Sequence, residues 1–178
     1  MALRTLFLDR DGVINHDSPD YIKSAAEWQP LPGALEAIAT LSKQGVWIGI
    51  ATNQSGLARG LFTSVDLDQM HLKMRQAVEA LGGRIDAIAH CFHLPDDCCR
   101  CRKPEPGLLE QLIRQRGEGF VSHETLMIGD SYKDLQAAQA VGIPAVLVRT
   151  GKGANTQRDH APTVPVYDSL GHWAELNV

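Results

Sequence analysis

An apolar run that ends on two carboxylates and a glycine, Leu6-Phe7-Leu8-Asp9-Arg10-Asp11-Gly12, constrains this chain more than any other feature. Leu3, Leu6, Phe7 and Leu8, with only Arg4 and Thr5 between, describe a short strand buried on both faces, as a parallel sheet requires. The C-terminal end of such a strand is where open α/β sheets bind ligands. Two neighbouring carboxylates there repel each other and lower stability unless a cation or hydrogen-bond donors compensate. The plain alternative is a polar strand end with solvated charges, and the rest of the chain weighs against it.

Beyond Gly12 the chain alternates between two periodicities. Leu35, Ile38, Ala39 and Leu41, with Pro32-Gly33 before them and Gly45 after, predict a helix over 33–44, and the apolar run Val46 to Ala51 follows at once as a strand. From Thr63, the spacing Leu67, Met70, Met74, Val78, Leu81 marks a longer helix with its methionines in the core, stopped by Gly82-Gly83; Ile85 to Phe92 returns to strand character. Leu108 to Ile113 predicts a helix, Thr125 to Ile128 a strand, Leu135 to Val141 a helix and Ile143 to Val148 a last apolar strand. Residues 149–167, with several Gly and Pro, predict loops before a short final helix. This alternation argues for an α/β fold with a doubly wound parallel sheet, in a single domain over residues 1–178.

Charge excludes some partners. Seventeen basic and 21 acidic residues give a net charge of −4 with no basic stripe, which argues against nucleic acid. No apolar stretch reaches the roughly 18 residues of a membrane span. Arg4 and Asp9 interrupt the apolar core that a secretion signal needs, so a cytoplasmic protein is expected. No interface signal stands out, which leaves a monomer as the default.

Four predicted strand ends carry polar groups that one reaction can use together: Asp9 and Asp11; Thr52-Asn53-Gln54-Ser55; Arg102-Lys103; and Gly129-Asp130 with Asp134. The set resembles the haloacid dehalogenase superfamily of aspartate-nucleophile phosphatases, whose motifs are D-x-D-G, a Thr or Ser after the second strand, a Lys, and G-D-x-x-x-D. The chemistry wants these residues. A carboxylate, Asp9, can attack phosphorus in line to form an aspartyl phosphate. Asp11 can protonate the leaving alkoxide and later take a proton from water. Mg²⁺ suits ligands such as Asp9, the Asp11 carbonyl and Asp130. Lys103 can offset the charge on the phosphoryl oxygens, and the Thr52 hydroxyl can hydrogen-bond them. Asp134 has two equal readings, a helix N-terminal charge favoured by the macrodipole and a supporting part in the site. Alone, Thr52 reads as an ordinary strand end and Lys103 as a solvated side chain; the four-part pattern is what raises them.

All four cysteines fall between positions 91 and 101, together with His93. A disulfide framework would spread them out. Clustered thiols and an imidazole read instead as a closed tetrahedral zinc site that pins a polar loop, with unligated thiols or a redox pair as the alternative. Spacing leaves the fourth ligand open, since Cys98 and Cys101 are C-x-x-C while Cys99 and Cys101 are C-x-C, and His90 is a further candidate. The order Cys91-x-His93, then Cys99-x-Cys101-Arg102-Lys103-Pro104, resembles the zinc loop of the heptose bisphosphate phosphatases and the related histidinol-phosphate phosphatases. That resemblance implies Cys91, His93, Cys99 and Cys101 as ligands of a structural zinc.

The same family resembles this chain in Thr52-Asn53-Gln54-Ser55-Gly56-Leu57-Ala58-Arg59-Gly60 and in Val148-Arg149-Thr150-Gly151-Lys152. It implies substrate contacts from Asp9 to Asp11, from the Asp17 to Tyr21 loop, from Thr52, Asn53, Gln54 and Ser55, and from Arg102 and Lys103. It also implies a small sugar bisphosphate as substrate, in the supply of nucleotide-activated heptose. A second phosphate needs its own cation, for which Arg102 is the first candidate and Arg59 the next, although Arg59 reads equally well as a solvated loop charge. No gap between motifs holds a large cap domain, so loops have to supply selectivity.

Overall fold

The computed structural model describes residues 3–178. Six strands, β1 (Thr5–Leu8), β2 (Trp47–Asn53), β3 (Ala87–Cys91), β4 (Thr125–Gly129), β5 (Ala145–Val148) and β6 (Val166–Tyr167), form one sheet in the order β3-β2-β1-β4-β5-β6. Every neighbouring pair is parallel. Chain order reverses direction between β1 and β4, which opens a crevice beyond their C-terminal ends.

The helices are α1 (Ala34–Lys43), α2 (Ser64–Ala80), α3 (Gly107–Arg116), α4 (Tyr132–Ala140), α5 (Gly153–His160) and α6 (Leu170–Asn177). Helix α1 packs with α2 and α6 over one face, while α3 and α4 cover the other. Strand β1 explains the two layers. Leu6 and Leu8 enter the first core with Ile38 and Met70, and Phe7 enters the second with Leu109 and Met127. All three are fully buried, so the doubly wound, Rossmann-like sheet stands as expected, with Met70 and Met74 in the core. Burial of such side chains on both faces contributes about 1.5–3 kcal/mol apiece.

Local chemistry sets the ends of the elements. Helix α2 opens on a capping box in which the Thr63 and Asp66 side chains each accept the other's backbone N–H. Strand β3 begins at Ala87 rather than Ile85, because Asp86 Oδ2 takes the Ile48 N–H at 2.7 Å before the backbone ladder starts. Within 149–167, expected to be loops, the chain forms α5 and the edge strand β6. Helix α5 has no apolar stripe to betray it. It is held by tertiary contacts such as Thr156 Oγ1 donating to the Asp130 carbonyl at 2.9 Å.

Among the described residues, no large cap interrupts the sheet connections. The long loop between β1 and α1 is tied down by Lys73 Nζ, which donates to the carbonyls of Ala25 and Trp28 at 2.7 and 2.9 Å. Among the described residues, no helix is long and apolar enough to cross a membrane.

Candidate active site and metal centres

A cavity of about 870 Å³ lies over the crevice, and Asp9, Asp11, Asp130 and Asp134 line it with Arg102, Lys103, Lys133 and Lys152. Asp9 follows β1, and Asp130 follows β4, the strand hydrogen-bonded beside it. Lys103 reaches the same point from the far end of β3's loop. Its Nζ donates to Asp9 Oδ1 at 2.9 Å, to Asp134 Oδ1 at 2.6 Å and to the Ala51 carbonyl at 2.6 Å. Burial pulls the Lys103 ammonium down, but the Asp134 and Asp9 carboxylates outweigh it and hold its pKa above the ordinary lysine value. Lys103 is therefore a fixed charge.

Asp134 combines both of its expected readings. It caps α4 through a bond from the Ser131 N–H to Oδ2 at 3.1 Å, and its Oδ1 receives Lys103. Both of its oxygens are thus spent on the protein, although it lies in one cluster with Asp9 and Asp130. The other two carboxylates keep an oxygen each. Asp9 Oδ1 takes Lys103 and the Arg10 N–H, and Asp130 Oδ2 takes the Lys152 N–H at 2.8 Å. Among the described residues, Asp9 Oδ2 and Asp130 Oδ1 have no hydrogen-bond donor.

This geometry fits a hard cation. Asp130 is wedged between two glycines with left-handed backbone, Gly12 at φ +83° and Gly151 at φ +57°. A Cβ on either would come within 2.1–2.2 Å of Asp130 Oδ2. Burial, then the charges of Asp9 and Asp134, push the Asp130 pKa well above the ordinary value, and burial lifts Asp9 to about 7 against the pull of Lys103. Two desolvated carboxylates with unoccupied oxygens side by side are relieved by an Mg²⁺ ion, which prefers a few carboxylate ligands with retained water.

Asp11 is held differently. Burial raises its pKa, but Arg10 and the donors Asn15 and Gln54 prevail and keep it below the ordinary carboxylate value. Asp17 and Tyr21 line the cavity from the β1–α1 loop, with Tyr21 at φ 66°, a strained conformation for a non-glycine residue. Asp17 pairs with Lys152 across the cavity at 3.6 Å.

The Thr52 to Ser55 run divides by what its side chains touch. Thr52 is buried outside the cavity lining, with its Oγ1 accepting from Gln54 Nε2 at 2.8 Å. Asn53 accepts from the Lys103 N–H and donates to the Lys103 carbonyl, both at 3.0 Å, so it pins the lysine's backbone. Gln54 Nε2 also donates to Asp11 Oδ2 at 2.9 Å. Only the Ser55 hydroxyl lines the cavity with no protein partner among the described residues. Arg59 is exposed and lies away from the cavity lining.

Residue reading missed Lys133, Lys152 and Asn15. The Arg149 to Lys152 segment carried the signal for one of them. Thr150 Oγ1 donates to the Gly12 carbonyl at 2.7 Å, Gly151 backs Asp130, and Lys152 closes over it. Lys133 follows Asp130 by three residues on a helix start, a place with no pattern of its own.

The second cluster gathers Cys91, His93, Cys99 and Cys101, with ligand atoms all within 4.8 Å of one another. Cys91 Sγ lies 3.4 Å from His93 Nδ1, 3.7 Å from Cys99 Sγ and 3.1 Å from Cys101 Sγ. A tetrahedron with Zn–S near 2.3 Å has edges of about 3.5–3.8 Å, so four such donors can hold one zinc. Burial and the neighbouring thiols push Cys91 up to about 12, a cluster chemically suited to a cation. Cys98 is exposed with its Sγ turned to the Asp96 carbonyl at 3.6 Å, and His90 is exposed in β3, so the open choice falls to Cys99. The cluster touches the first site directly: the Arg102 N–H donates to Cys99 Sγ at 3.4 Å and Arg102 Nη1 to the His93 carbonyl at 3.4 Å.

Comparison with known proteins agrees with this architecture. Residues 100–173 match the family model described as "HAD-hyrolase-like". The D-glycero-beta-D-manno-heptose-1,7-bisphosphate 7-phosphatase of Pseudomonas putida is 46% identical over 169 residues, 94% of this chain and 95% of the relative. The protein of the same name from Neisseria meningitidis serogroup A is 44% identical over 94% of this chain and 91% of its own. A crystal structure of D,D-heptose 1,7-bisphosphate phosphatase from B. bronchiseptica, complexed with magnesium and phosphate, superposes with a TM-score of 0.92 at 43% identity, covering 97% of each chain. Similarity of this extent, over nearly the whole of both chains, means that the chain belongs to the heptose bisphosphate phosphatase family of haloacid dehalogenase-like hydrolases.

Proposed function

We propose that this protein hydrolyses the 7-phosphate of D-glycero-β-D-manno-heptose 1,7-bisphosphate, leaving the 1-phosphate, by way of an aspartyl phosphate on Asp9. The β anomer follows the names of the relatives. One observation carries the choice of a bisphosphate: two cations on the cavity wall, Arg102 and Lys133, make no salt bridge among the described residues. Burial, then the charges of Arg102 and Lys152, lower the Lys133 pKa, as expected where cations crowd together without an anion. A second phosphate relieves that crowding, whereas the amine of histidinol phosphate adds to it. Lys133 takes the part that Arg59 has as a candidate in the sequence.

In this reading Asp9 attacks phosphorus while Lys103 offsets charge on the phosphoryl oxygens and the Ser55 hydroxyl donates to one of them. Asp11 gives a proton to the departing sugar oxygen, then takes one from the water that splits the acyl phosphate. A dianionic phosphate arriving beside Asp11 raises its proton affinity and so favours the acid form for the first step. Bound by Asp9, the Asp11 carbonyl and Asp130, Mg²⁺ supplies the charge neutralisation that lets two anions approach. A small, water-soluble substrate is consistent with a cytoplasmic, single-domain monomer.

The test is phosphate release, with Mg²⁺, from the α and β anomers of heptose 1,7-bisphosphate and from histidinol phosphate, with Asp9→Asn as control. A large kcat/KM preference for the β anomer, abolished in the variant, is expected. Preference for histidinol phosphate overturns the bisphosphate reading, and no turnover of any ester favours a zinc-stabilised binding protein on a phosphatase fold.

A further inference from the structure

Arg10 is fully buried, and its side chain turns to Asp11 instead of lining the cavity. A buried guanidinium is costly unless every face is answered. Here its Nε and Nη2 both donate to Asp11 Oδ1, at 3.0 and 2.9 Å. Its Nη1 lies 3.3 Å from His71 Nε2 and 3.9 Å from Met70 Sδ, on the inner face of α2. Because arginine only donates, His71 Nε2 must be the acceptor and the ring neutral. Burial, then Arg10 and His90, drop the His71 pKa to about 3 and keep it so.

Asn15 adds a second grip. Its Nδ2 donates to Asp11 Oδ1 at 2.9 Å and to the His16 carbonyl at 2.9 Å, while its own Oδ1 is buried with no partner. An unsatisfied buried acceptor is costly, so this amide is oriented for Asp11 at its own expense. Gln54 Nε2 holds Asp11 Oδ2 at 2.9 Å from the opposite side. Three donors thus converge on Oδ1 and one on Oδ2, with the Asp11 side chain still 23% exposed to the cavity.

We propose that Arg10, backed by His71 and assisted by Asn15, is a positioning residue that locks the Asp11 rotamer so that Oδ2 alone carries the proton exchanged with the leaving oxygen and with water. The inference rests on the phosphatase reading. Its mechanism is geometric: a misplacement of an ångström in an acid catalyst costs about 10²-fold. The loss must depend on the leaving group. A sugar oxygen needs a proton as it departs, whereas p-nitrophenolate leaves without one.

The experiment compares kcat/KM for heptose 1,7-bisphosphate and for p-nitrophenyl phosphate, at saturating Mg²⁺, in the wild type, Arg10→Met, Asp11→Asn and the double variant. Arg10→Met is expected to lower the sugar ester about 10²-fold and the aryl ester by less than about 3-fold. In the Asp11→Asn background, Arg10→Met should change the sugar ester by less than about 2-fold, since both act through one group. Equal losses on both esters, no loss on either, or full additivity in the double variant would overturn the proposal. Where Arg10→Met does not fold, His71→Phe decides: it leaves the ion pair and removes its backing. The sugar ester should then fall about 5-fold with the aryl ester unchanged, and an unchanged sugar ester overturns the inference. A wild type that hydrolyses neither ester brings down the phosphatase reading instead.

Discussion

The carboxylate centre and the thiol centre meet at Arg102 and Lys103, yet they are assembled in opposite ways. The carboxylate centre draws Asp9, Lys103, Asp130 and Lys152 from across the chain, and parallel strand ends bring them together around a buried ammonium. Its charges already oppose one another inside the protein. The thiol centre draws its four residues from 91–101, a stretch in which only Cys91, the end of β3, is buried and only a short 3₁₀ turn beyond it is regular. A metal held by these four would tighten a loop otherwise fixed by a few bonds such as the Gly107 N–H to the Arg100 carbonyl at 2.9 Å. The fold supports the first centre, whereas a zinc bound in the second would support part of the fold and, through Arg102 and Lys103, the first.

The largest effect should come from breaking the charge balance of the carboxylate centre. Lys103→Met is expected to lower kcat/KM by about 10³-fold and stability by about 3–5 kcal/mol, because it strands buried Asp134 and Asp9 without their partner. Adding Asp134→Leu should recover part of the stability, read by urea denaturation, and none of the activity. If the double variant regains activity, Lys103 is only a structural cation.

Breaking the thiol centre should act more mildly and at a distance. Removing zinc with a chelator, then restoring Mg²⁺ in excess, is expected to lower kcat/KM about 10–100-fold, as changes in the support of a site do, and to open the 92–102 loop to protease. Cys99→Ser should copy this loss of bound zinc and Cys98→Ser should not. The reverse result would exchange their roles.

A third measurement concerns the support of the carboxylate centre from within the core. His71 is neutral when folded, with a pKa near 3, against about 6.5 for an ordinary imidazole. Between those values the unfolded chain binds the extra proton, so stability falls as pH drops through that window, by about 1.4 kcal/mol per unit from this group. His71→Phe should flatten the slope of urea stability against pH between about 6 and 4. An unchanged slope would mean that the imidazole is charged and does not accept from Arg10. The smallest effect belongs to a residue outside both centres: Arg59→Ala should alter kcat/KM by less than about 2-fold, and a larger loss would bring that exposed arginine back into substrate binding.

Both centres were legible in the sequence to different depths. The residues of the thiol cluster were legible because they are local, and only which of Cys98 and Cys99 joins the cluster needed coordinates, since a left-handed backbone at Cys98 (φ 52°) helps turn its thiol away. The strand ends of the carboxylate centre were legible as separate motifs. What each side chain does there was not. Asn53 and Gln54, with the look of substrate ligands, spend their amides on Lys103 and Asp11, and Lys133 and Lys152 gave no periodic signal at all. Helix α5 was missed because its residues lack an apolar stripe and are held by the site itself.

The sequence alone determined the parallel α/β layering, because apolar runs buried on both faces admit no other partner than helices, and it determined which chemical groups stand at strand ends. Only the tertiary structure decided which of those groups confront the substrate and which hold a neighbour in place. That division depends on angles and distances of a few ångströms between residues up to a hundred positions apart, such as Lys103 against Asp9 and Asn53, and no local pattern of residue types encodes them.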